Sequence, residues 1–185
     1  MIKLENVSFS FEDKPILRNF SMQTKENGVT CIVGRSGIGK STVVDLICAL
    51  KKPDSGTVTA DKKLSVVFQE DRLLPWLSVL DNVKCVSDEE TAKLRLSEVG
   101  LSDSLELTPD KLSGGMKRRA ALARALAYSG DALILDEPFN GVDDETKSVL
   151  KSIIKEQAKT KPVILITHDR EDIGELADKI VSLND

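Results

Sequence analysis

The eight residues Gly34–Ser41, GRSGIGKS, are the stretch of this chain best suited to binding phosphate groups. They follow the apolar run VTCIV and precede apolar residues at helical spacing, which is the strand–loop–helix context that a P-loop requires. Backbone N–H groups of the loop and of the helix N-terminus can close on phosphate oxygens. Lys40 would reach the β- and γ-phosphates, Ser41 would ligate Mg²⁺ and Thr42 would support the α-phosphate. The motif therefore predicts a site for ATP and Mg²⁺.

Two adjacent acids supply chemistry that a phosphate loop needs nearby. Asp136 and Glu137 end the apolar run ALILDEP, so they are expected at the carboxyl end of a buried strand. Asp136 there can hold the metal beside Ser41, and Glu137 can polarise a water molecule for attack on the γ-phosphorus. Paired acids after a strand are often only a solvated turn, and the P-loop in the same chain favours the catalytic interpretation.

The run LSGGM at residues 112–116 is a second candidate anion loop. Ser113 is a natural N-cap, and Gly114 and Gly115 permit close approach of backbone to an anion. Taken alone, an ordinary capped helix with a flexible entry is the better interpretation. A second anion loop beside a P-loop indicates instead that ATP is held between two copies of the chain.

The order of GRSGIGKS, Gln69, LSGGM, ALILDEP and His168 is similar to that in the nucleotide-binding subunits of ABC transporters, over essentially the whole chain. This resemblance implies an ABC ATPase fold and an enzyme that hydrolyses ATP. It also implies a head-to-tail homodimer in which Ser113, Gly114 and Gly115 act on the ATP held by the partner's P-loop.

The same resemblance gives roles to four further positions. Gln69 matches the residue that senses Mg²⁺ and the attacking water and links the site to the membrane subunit. His168 matches the switch histidine that contacts the γ-phosphate, and Asp143 matches an aspartate that lies across the dimer from the partner's P-loop. Phe11 matches best the aromatic that stacks on adenine, with Phe9 as the rival.

The candidate site then has three groups of residues. The catalytic group is Glu137, His168, Lys40 and Gln69. The nucleotide-binding group is Gly34, Arg35, Ser36, Gly37, Ile38, Gly39, Lys40, Ser41, Thr42, Phe11, Ser113, Gly114, Gly115 and Asp143. The metal group is Ser41, Gln69 and Asp136. The sequence departs from the family pattern at Arg118, where a glutamine is usual, and in the residues Asn140–Asp143, which are commonly Ser-Ala-Leu-Asp.

The segment from Gln69 to Val83 resembles that of importer ATPases of the nitrate, sulfonate and taurine type. Leu73, Leu74, Trp76 and Leu77 form an apolar platform suited to receive a short helix of a membrane permease, or they pack a helical lobe onto the core. We expect import, powered by ATP, with an extracytoplasmic solute-binding protein as an indirect partner. Export, or a soluble ABC ATPase outside transport, is the alternative.

Strands are expected at residues 2–11, 20–25, 29–33, 57–60 and 64–68, on both sides of the P-loop helix in the sequence. Helices are expected at 89–99, 114–128, 143–158 and 170–177, and strands at 132–136, 163–167 and 179–183. This alternation predicts an α/β fold: a P-loop NTPase core with a mostly parallel sheet, an N-terminal antiparallel β-subdomain and a short inserted helical subdomain. We expect one nucleotide-binding domain over 1–185, with core at 1–70 and 130–185 and the helical part at 71–129.

The amino-acid composition limits the kinds of binding partner that we expect. The chain has 30 acidic and 26 basic residues and a net charge of -4, so no broad basic face for nucleic acid is expected. No apolar run is long enough for a membrane span and no signal-peptide pattern is present, so we expect a peripheral protein on the cytoplasmic face of the membrane. Cys31 and Cys48 fall in apolar segments, where a buried free thiol is the usual state.

Overall fold

The computed structural model describes residues 1–60 and 63–183, and within these ranges the chain forms two β-sheets and six α-helices. An antiparallel sheet with strand order β2-β1-β4 lies beside a parallel sheet with order β5-β6-β7-β3-β8. The predicted α/β class, with a parallel core and an N-terminal antiparallel piece, is therefore confirmed.

The antiparallel sheet is built from β1 (Lys3–Phe11), β2 (Lys14–Gln23) and β4 (Ser55–Thr59). A two-residue turn joins β1 to β2, and both of its residues, Glu12 and Asp13, have positive φ angles of 46° and 63°. Such a turn matches the twist of a hairpin. The sequence prediction began the second strand too late, at residue 20, because pairing with β1 rather than an alternating apolar pattern holds the first half of β2.

The parallel sheet positions the chemistry. Its strands are β3 (Gly28–Val33), β5 (Leu64–Val67), β6 (Ala132–Asp136), β7 (Pro162–Ile166) and β8 (Lys179–Ser182). Parallel strands end at one edge, so the P-loop after β3, Gln69 after β5, the acid pair at the end of β6 and His168 after β7 emerge side by side.

Helices cover both faces of this sheet. They are α1 (Lys40–Ile47), α2 (Val79–Lys84), α3 (Glu89–Glu98), α4 (Gly114–Tyr128), α5 (Asp144–Ala158) and α6 (Arg170–Leu176). One apolar cluster joins α2, α3, α4 and α5 to one sheet face, and a second joins α1 and the antiparallel sheet to the other. None of the helices in the described ranges has the length and apolar character needed to cross a bilayer.

Two local features were not fully predicted from the sequence: a short helix and the burial of the cysteines. Helix α2 was missed, because its six residues are too short for a periodic pattern and it depends on Ser78, whose side chain caps the helix by accepting from Asp81 N. The cysteines are free thiols: Cys31 is buried, as expected, Cys48 is half-buried and Cys85 is exposed. The boundaries of a separate helical subdomain stay a prediction.

Candidate functional site

The P-loop follows β3 and leads directly into α1. Gly39 has a φ of 112° at the cap position, and a Cβ there would lie 2.7 Å from Ile16 Cγ2, so both conformation and space require glycine. No side chain of the described residues caps the first turn of α1, which leaves its N–H groups available to an anion. Lys40 Nζ donates to the carbonyls of Gly34 and Arg35, each at 2.9 Å, so the ammonium lies over the loop itself.

Asp136 and Ser41 meet at the start of α1. Ser41 Oγ donates to Asp136 Oδ2 at 2.8 Å. Burial raises the pKa of Asp136 above its ordinary value and the Glu137 carboxylate adds to this, while the hydrogen bond from Ser41 and the charge of Lys40 oppose it. The buried Asp136 carboxylate thus lies beside the Ser41 hydroxyl, where a bound cation would offset the cost of burying its charge.

A cavity of about 250 Å³ gathers residues from three strand ends. Its lining consists of Ser36, Gly37, Gly39, Lys40, Ser41, Thr42, Gln69, Asp136 and Glu137. The structure therefore brings the P-loop, Gln69 and the acid pair of one chain to a single space. A larger cavity of about 450 Å³ beside Lys25 and Lys155 lies elsewhere, and neither the P-loop nor the acid pair lines it.

His168 is joined to the cavity through Glu137. Its Nδ1 lies 3.1 Å from both Glu137 Oε1 and Glu137 Oε2. The Glu137 side chain is 13% exposed and that of His168 is 72% exposed, so the histidine covers the carboxylate from the solvent side. Glu137 has a φ of 52°, an uncommon conformation for a residue with a side chain, and such strain concentrates at functional sites.

The LSGGM loop, residues 112–116, which we call the signature loop, lies outside the cavity that the P-loop of the same chain lines. Ser113 is exposed and caps α4, with Met116 N donating to Ser113 Oγ at 3.2 Å. A Cβ on Gly114 would meet nothing within 4 Å, whereas a Cβ on Gly115 would lie 2.3 Å from Gly141 O. The two glycines thus differ: Gly114 borders open space, and Gly115 allows α4 to pack against the loop that precedes Asp143.

The remaining predicted residues lie at the margins of the site. Phe11 is 56% exposed at the end of β1, whereas its rival Phe9 is only 8% exposed, so Phe11 alone of the two offers a free ring face. Phe11 pairs with Lys14, which lines a cavity of about 490 Å³ that also includes Gly37 and Ile38 of the P-loop. Asp143 is exposed, and it caps α5 by accepting from Thr146 N at 2.9 Å.

Comparison with known proteins agrees with this geometry. The sequence matches the family profile described as ABC transporter over residues 17–140. The chain belongs to the ABC transporter family. It has the fold and motifs of the ATP-hydrolysing subunits of that family, so the expected enzyme class is confirmed.

Curated relatives and solved structures resemble this ABC cassette over nearly its whole length. An aliphatic sulfonates import ATP-binding protein of Streptomyces avermitilis is 37% identical, covering 98% of this chain and 76% of the relative. One of Agrobacterium fabrum is 38% identical, covering 97% of this chain and 70% of the relative. A dimeric ATP-binding cassette in a post-hydrolysis state bound to ADP and Pi superposes with a TM-score of 0.89 at 28% identity, covering 100% and 94% of the two chains.

Two side chains that shape the cassette were not singled out from the sequence as site residues. Asn82 is fully buried in α2; its Oδ1 accepts from Leu74 N, and its Nδ2 donates to the carbonyls of Leu74, Leu77 and Ser78. Arg118 of α4 donates to the carbonyls of Phe68 and Gln69. The departure of Arg118 from the family pattern was the one available signal, whereas an asparagine in a short polar segment gives none.

Asn82 also explains the form of the proposed apolar platform. It holds the segment from Leu74 to Ser78 as a compact turn, on which Trp76 is 73% exposed. Leu73 instead packs against the core cluster that contains α4. Leu73 therefore packs the helical lobe onto the core, whereas Trp76 is the member of the platform that is exposed to solvent.

Proposed function

We propose that this cassette works as a homodimer that holds ATP between two copies and powers solute import through a membrane permease. The observation that carries the proposal is the separation of two anion loops. The P-loop cavity includes Gln69 and the acid pair, whereas Ser113 and Gly114 are exposed outside that cavity. A second copy, facing the first head to tail, is the simplest source of a signature loop for each site. Two solved cassettes of the same fold are dimers.

The donor set of the site fits Mg²⁺. The described residues contain no cluster of three or more His, Cys, Asp or Glu side chains suited to a metal. Mg²⁺ in nucleotide sites needs fewer, because phosphates and water complete its octahedral shell of oxygens. Ser41 and Asp136 supply two adjacent oxygens, and Gln69 lies in the same cavity, so these three residues would hold the ion. When bound, Mg²⁺ neutralises charge on the β- and γ-phosphates.

In the proposed reaction, each remaining residue has one task. The N–H groups at the start of α1 bind phosphate oxygens, and Lys40 exchanges its bonds to the loop carbonyls for the β- and γ-phosphates. Glu137 accepts a proton from the attacking water, which bonds to the γ-phosphorus as the β–γ bridging oxygen leaves with ADP. His168 orients Glu137 and contacts the γ-phosphate. Thr42 supports the α-phosphate.

We assign the outer residues to nucleotide and dimer contacts. Phe11 would stack on adenine, because its ring is exposed at the end of β1 and its strand partner Lys14 lines the cavity that includes Gly37 and Ile38 of the P-loop. Ser113 and Gly114 would contact the γ-phosphate bound by the partner. Asp143 would approach the partner's P-loop with its carboxylate ionised, since the hydrogen bond from Thr146 N lowers its pKa.

The proposed cargo is a small organic anion, such as an aliphatic sulfonate. The basis is the relatives named as aliphatic sulfonates import ATP-binding proteins, which are 34% to 38% identical over nearly the whole chain. The cassette would sit on the cytoplasmic face of the membrane, with Trp76 and its neighbours receiving a permease helix. A solute-binding protein outside the membrane would deliver the cargo.

The decisive experiment on the motor is Glu137→Gln. This change keeps the size of the side chain and removes the proton acceptor, so hydrolysis should fall by about 100-fold or more. ATP binding should persist, and the variant should elute as a dimer when ATP is present. Glu145→Gln, which changes an exposed acid in the first turn of α5, is the matched control and should keep wild-type hydrolysis. Normal turnover in Glu137→Gln would remove the proposed base.

The partner proposal is tested by purification from native membranes in mild detergent. The wild-type chain should co-purify with a permease and a solute-binding protein, and Trp76→Ala should recover much less permease. Leu94→Ala removes an equally apolar, 55% exposed side chain from α3 and should recover permease normally. Equal recovery by the two variants would place the docking surface elsewhere, and a permease without a binding protein would favour export.

A further inference from the structure

Arg118 lies at the centre of the contact between α4 and the segment that carries Gln69. Its Nη1 donates to Phe68 O at 2.7 Å and its Nη2 donates to Gln69 O at 2.6 Å. The same guanidinium forms an ion pair with Asp71, with Nη1 3.1 Å from Asp71 Oδ1. The arginine side chain is 9% exposed. The buried Arg118 guanidinium thus binds two backbone carbonyls and one carboxylate of the segment after β5.

These bonds supply donors to carbonyl groups that lie beyond the end of strand β5. β5 ends at Val67, so the carbonyls of Phe68 and Gln69 lie beyond the ladder and require other donors when they are partly buried. Bonds from a charged donor are stronger than neutral ones, and the planar guanidinium can hold two carbonyls at once. Arg124, two turns further along α4, donates to the carbonyls of Asp71 and Arg72. Helix α4 therefore controls the backbone path from Phe68 to Arg72.

The position of Arg118 within α4 connects two different ATP sites. Ser113 caps α4 and, in the proposed dimer, faces the nucleotide of the partner. Arg118 is five positions further on, which is roughly 7 Å along a helix. Gln69, by contrast, lines the cavity of the same chain. In the proposed dimer, helix α4 thus begins at the partner's ATP site. Through Arg118 it also binds the backbone of Gln69, which lines the chain's own ATP site.

We propose that Arg118 is a positioning residue that fixes Gln69 to α4, so that engagement of the signature loop by the partner's ATP aligns Gln69 in the chain's own site. This inference rests on the proposed dimeric function and adds to it a physical route between the two sites. Allosteric coupling requires an element that both sites bias, and α4 with its guanidinium contact is that element. Arg118 is not among the residues that line the P-loop cavity, so we expect its effect on that site to pass through Gln69.

The test compares variants of the full chain in steady-state ATP hydrolysis. Arg118→Met keeps an unbranched side chain in place of the aliphatic part of arginine and removes every bond to the segment, and kcat should fall about 10-fold with KM for ATP nearly unchanged. The Hill coefficient for ATP should be above 1 in the wild type and approach 1 in the variant. Arg118→Lys keeps the charge but loses the two-pronged geometry, so it should recover part of kcat.

Arg119→Met is the matched control, because Arg119 is adjacent in α4 and donates to the carbonyls of Val99 and Gly100 instead. It should keep the wild-type kcat and Hill coefficient. In a Gln69→Ala background, which retains the backbone carbonyl but lacks the positioned amide, Arg118→Met should cost little further activity. The same loss in both backgrounds would show that Arg118 acts on the fold rather than through Gln69, and would overturn the inference.

Amide hydrogen exchange gives a readout that does not depend on activity. Peptides covering residues 69–73 should exchange faster in Arg118→Met than in Arg119→Met, while the α1 peptide exchanges equally in both. Equal exchange in the 69–73 segment would also overturn the inference. If the wild type hydrolyses ATP and Glu137→Gln forms an ATP-dependent dimer, these failures concern Arg118 alone. If neither occurs, the proposed function itself is wrong.

Discussion

Nδ1 of His168 lies 3.1 Å from both carboxylate oxygens of Glu137, across the carboxyl ends of two paired parallel strands. The histidine follows β7 and the glutamate follows β6. Glu137 also has an uncommon backbone conformation, with a φ of 52°. The proposed base and the proposed switch residue thus form one unit in a single chain.

His168→Ala should lower the hydrolysis rate by about 10- to 100-fold, because it leaves the Glu137 carboxylate without its orienting partner. The double variant His168→Ala/Glu137→Gln should be no slower than Glu137→Gln, since both changes act on the same proton transfer. Steady-state phosphate release measures both. Arg170→Ala, an exposed residue at the start of α6, is the control and should hydrolyse ATP normally. Additive losses would show that the two residues act independently.

Asp136→Asn should raise the unfolding temperature of the nucleotide-free chain at neutral pH while abolishing hydrolysis. Burial raises the pKa of Asp136, so the folded state binds the proton more tightly than the unfolded state does. The contribution of this group to the free energy of unfolding therefore falls as pH rises from the unfolded pKa through the folded one. Asparagine keeps an acceptor for Ser41 and carries no charge.

The advantage of Asp136→Asn should shrink as the pH falls from the raised folded-state pKa of Asp136 towards the ordinary carboxyl pKa of about 3.9, and it should be lost below that value, where the wild-type carboxyl is protonated in both states. Thermal unfolding across a pH series measures this. Asp103→Asn, which changes an exposed acid, should follow the wild type at every pH. A lower unfolding temperature for Asp136→Asn at neutral pH would contradict the prediction.

Gly115→Ala and Gly114→Ala should differ in stability. The added methyl group at residue 115 would meet Gly141 O, so the helix or the loop before Asp143 must move, at a cost of about 1–3 kcal/mol in the free energy of unfolding. At residue 114 the methyl group meets open space, so the isolated chain should keep its stability and lose activity only through the dimer. Denaturant unfolding and ATP hydrolysis separate the two effects. Equal stability would mean that the contact with Gly141 yields readily.

Asn82→Ala should destabilise the chain by about 3 kcal/mol, because it leaves the Leu74 N–H and the Leu77 carbonyl without this partner and removes the side-chain bonds to the Leu74 and Ser78 carbonyls, which keep backbone donors. The loss should be local at first: hydrogen exchange should rise in the 73–78 segment before it rises in the parallel sheet. Asn27→Ala, at an exposed asparagine, should change the stability by less than about 0.5 kcal/mol. A loss no larger than this control would show that backbone packing alone holds the segment.

Much of the fold could be predicted because local patterns and local geometry agreed. The strand 132–136 and the helix 114–128 were predicted with the bounds that the structure has. In both, an apolar run of the right length and period is bounded by residues that stop it. Helix α2 and the first half of β2 could not be predicted in this way, because a buried asparagine and a neighbouring strand stabilise them. Neither the asparagine nor the neighbouring strand leaves a periodic signal in the residues that it stabilises.

The residues of the site could be identified from the chain alone: the phosphate loop, the acid pair, Gln69, His168 and the signature serine and glycines, in the order of an ABC cassette. Which of them share a space depends on how the folded chain packs. Packing placed Gln69 with the P-loop and acid pair, left the signature loop outside, joined His168 to Glu137 and fixed the Gln69 backbone on Arg118. The physical reason is that distances between strand ends and helix faces follow from packing and side-chain geometry, which residue order does not specify.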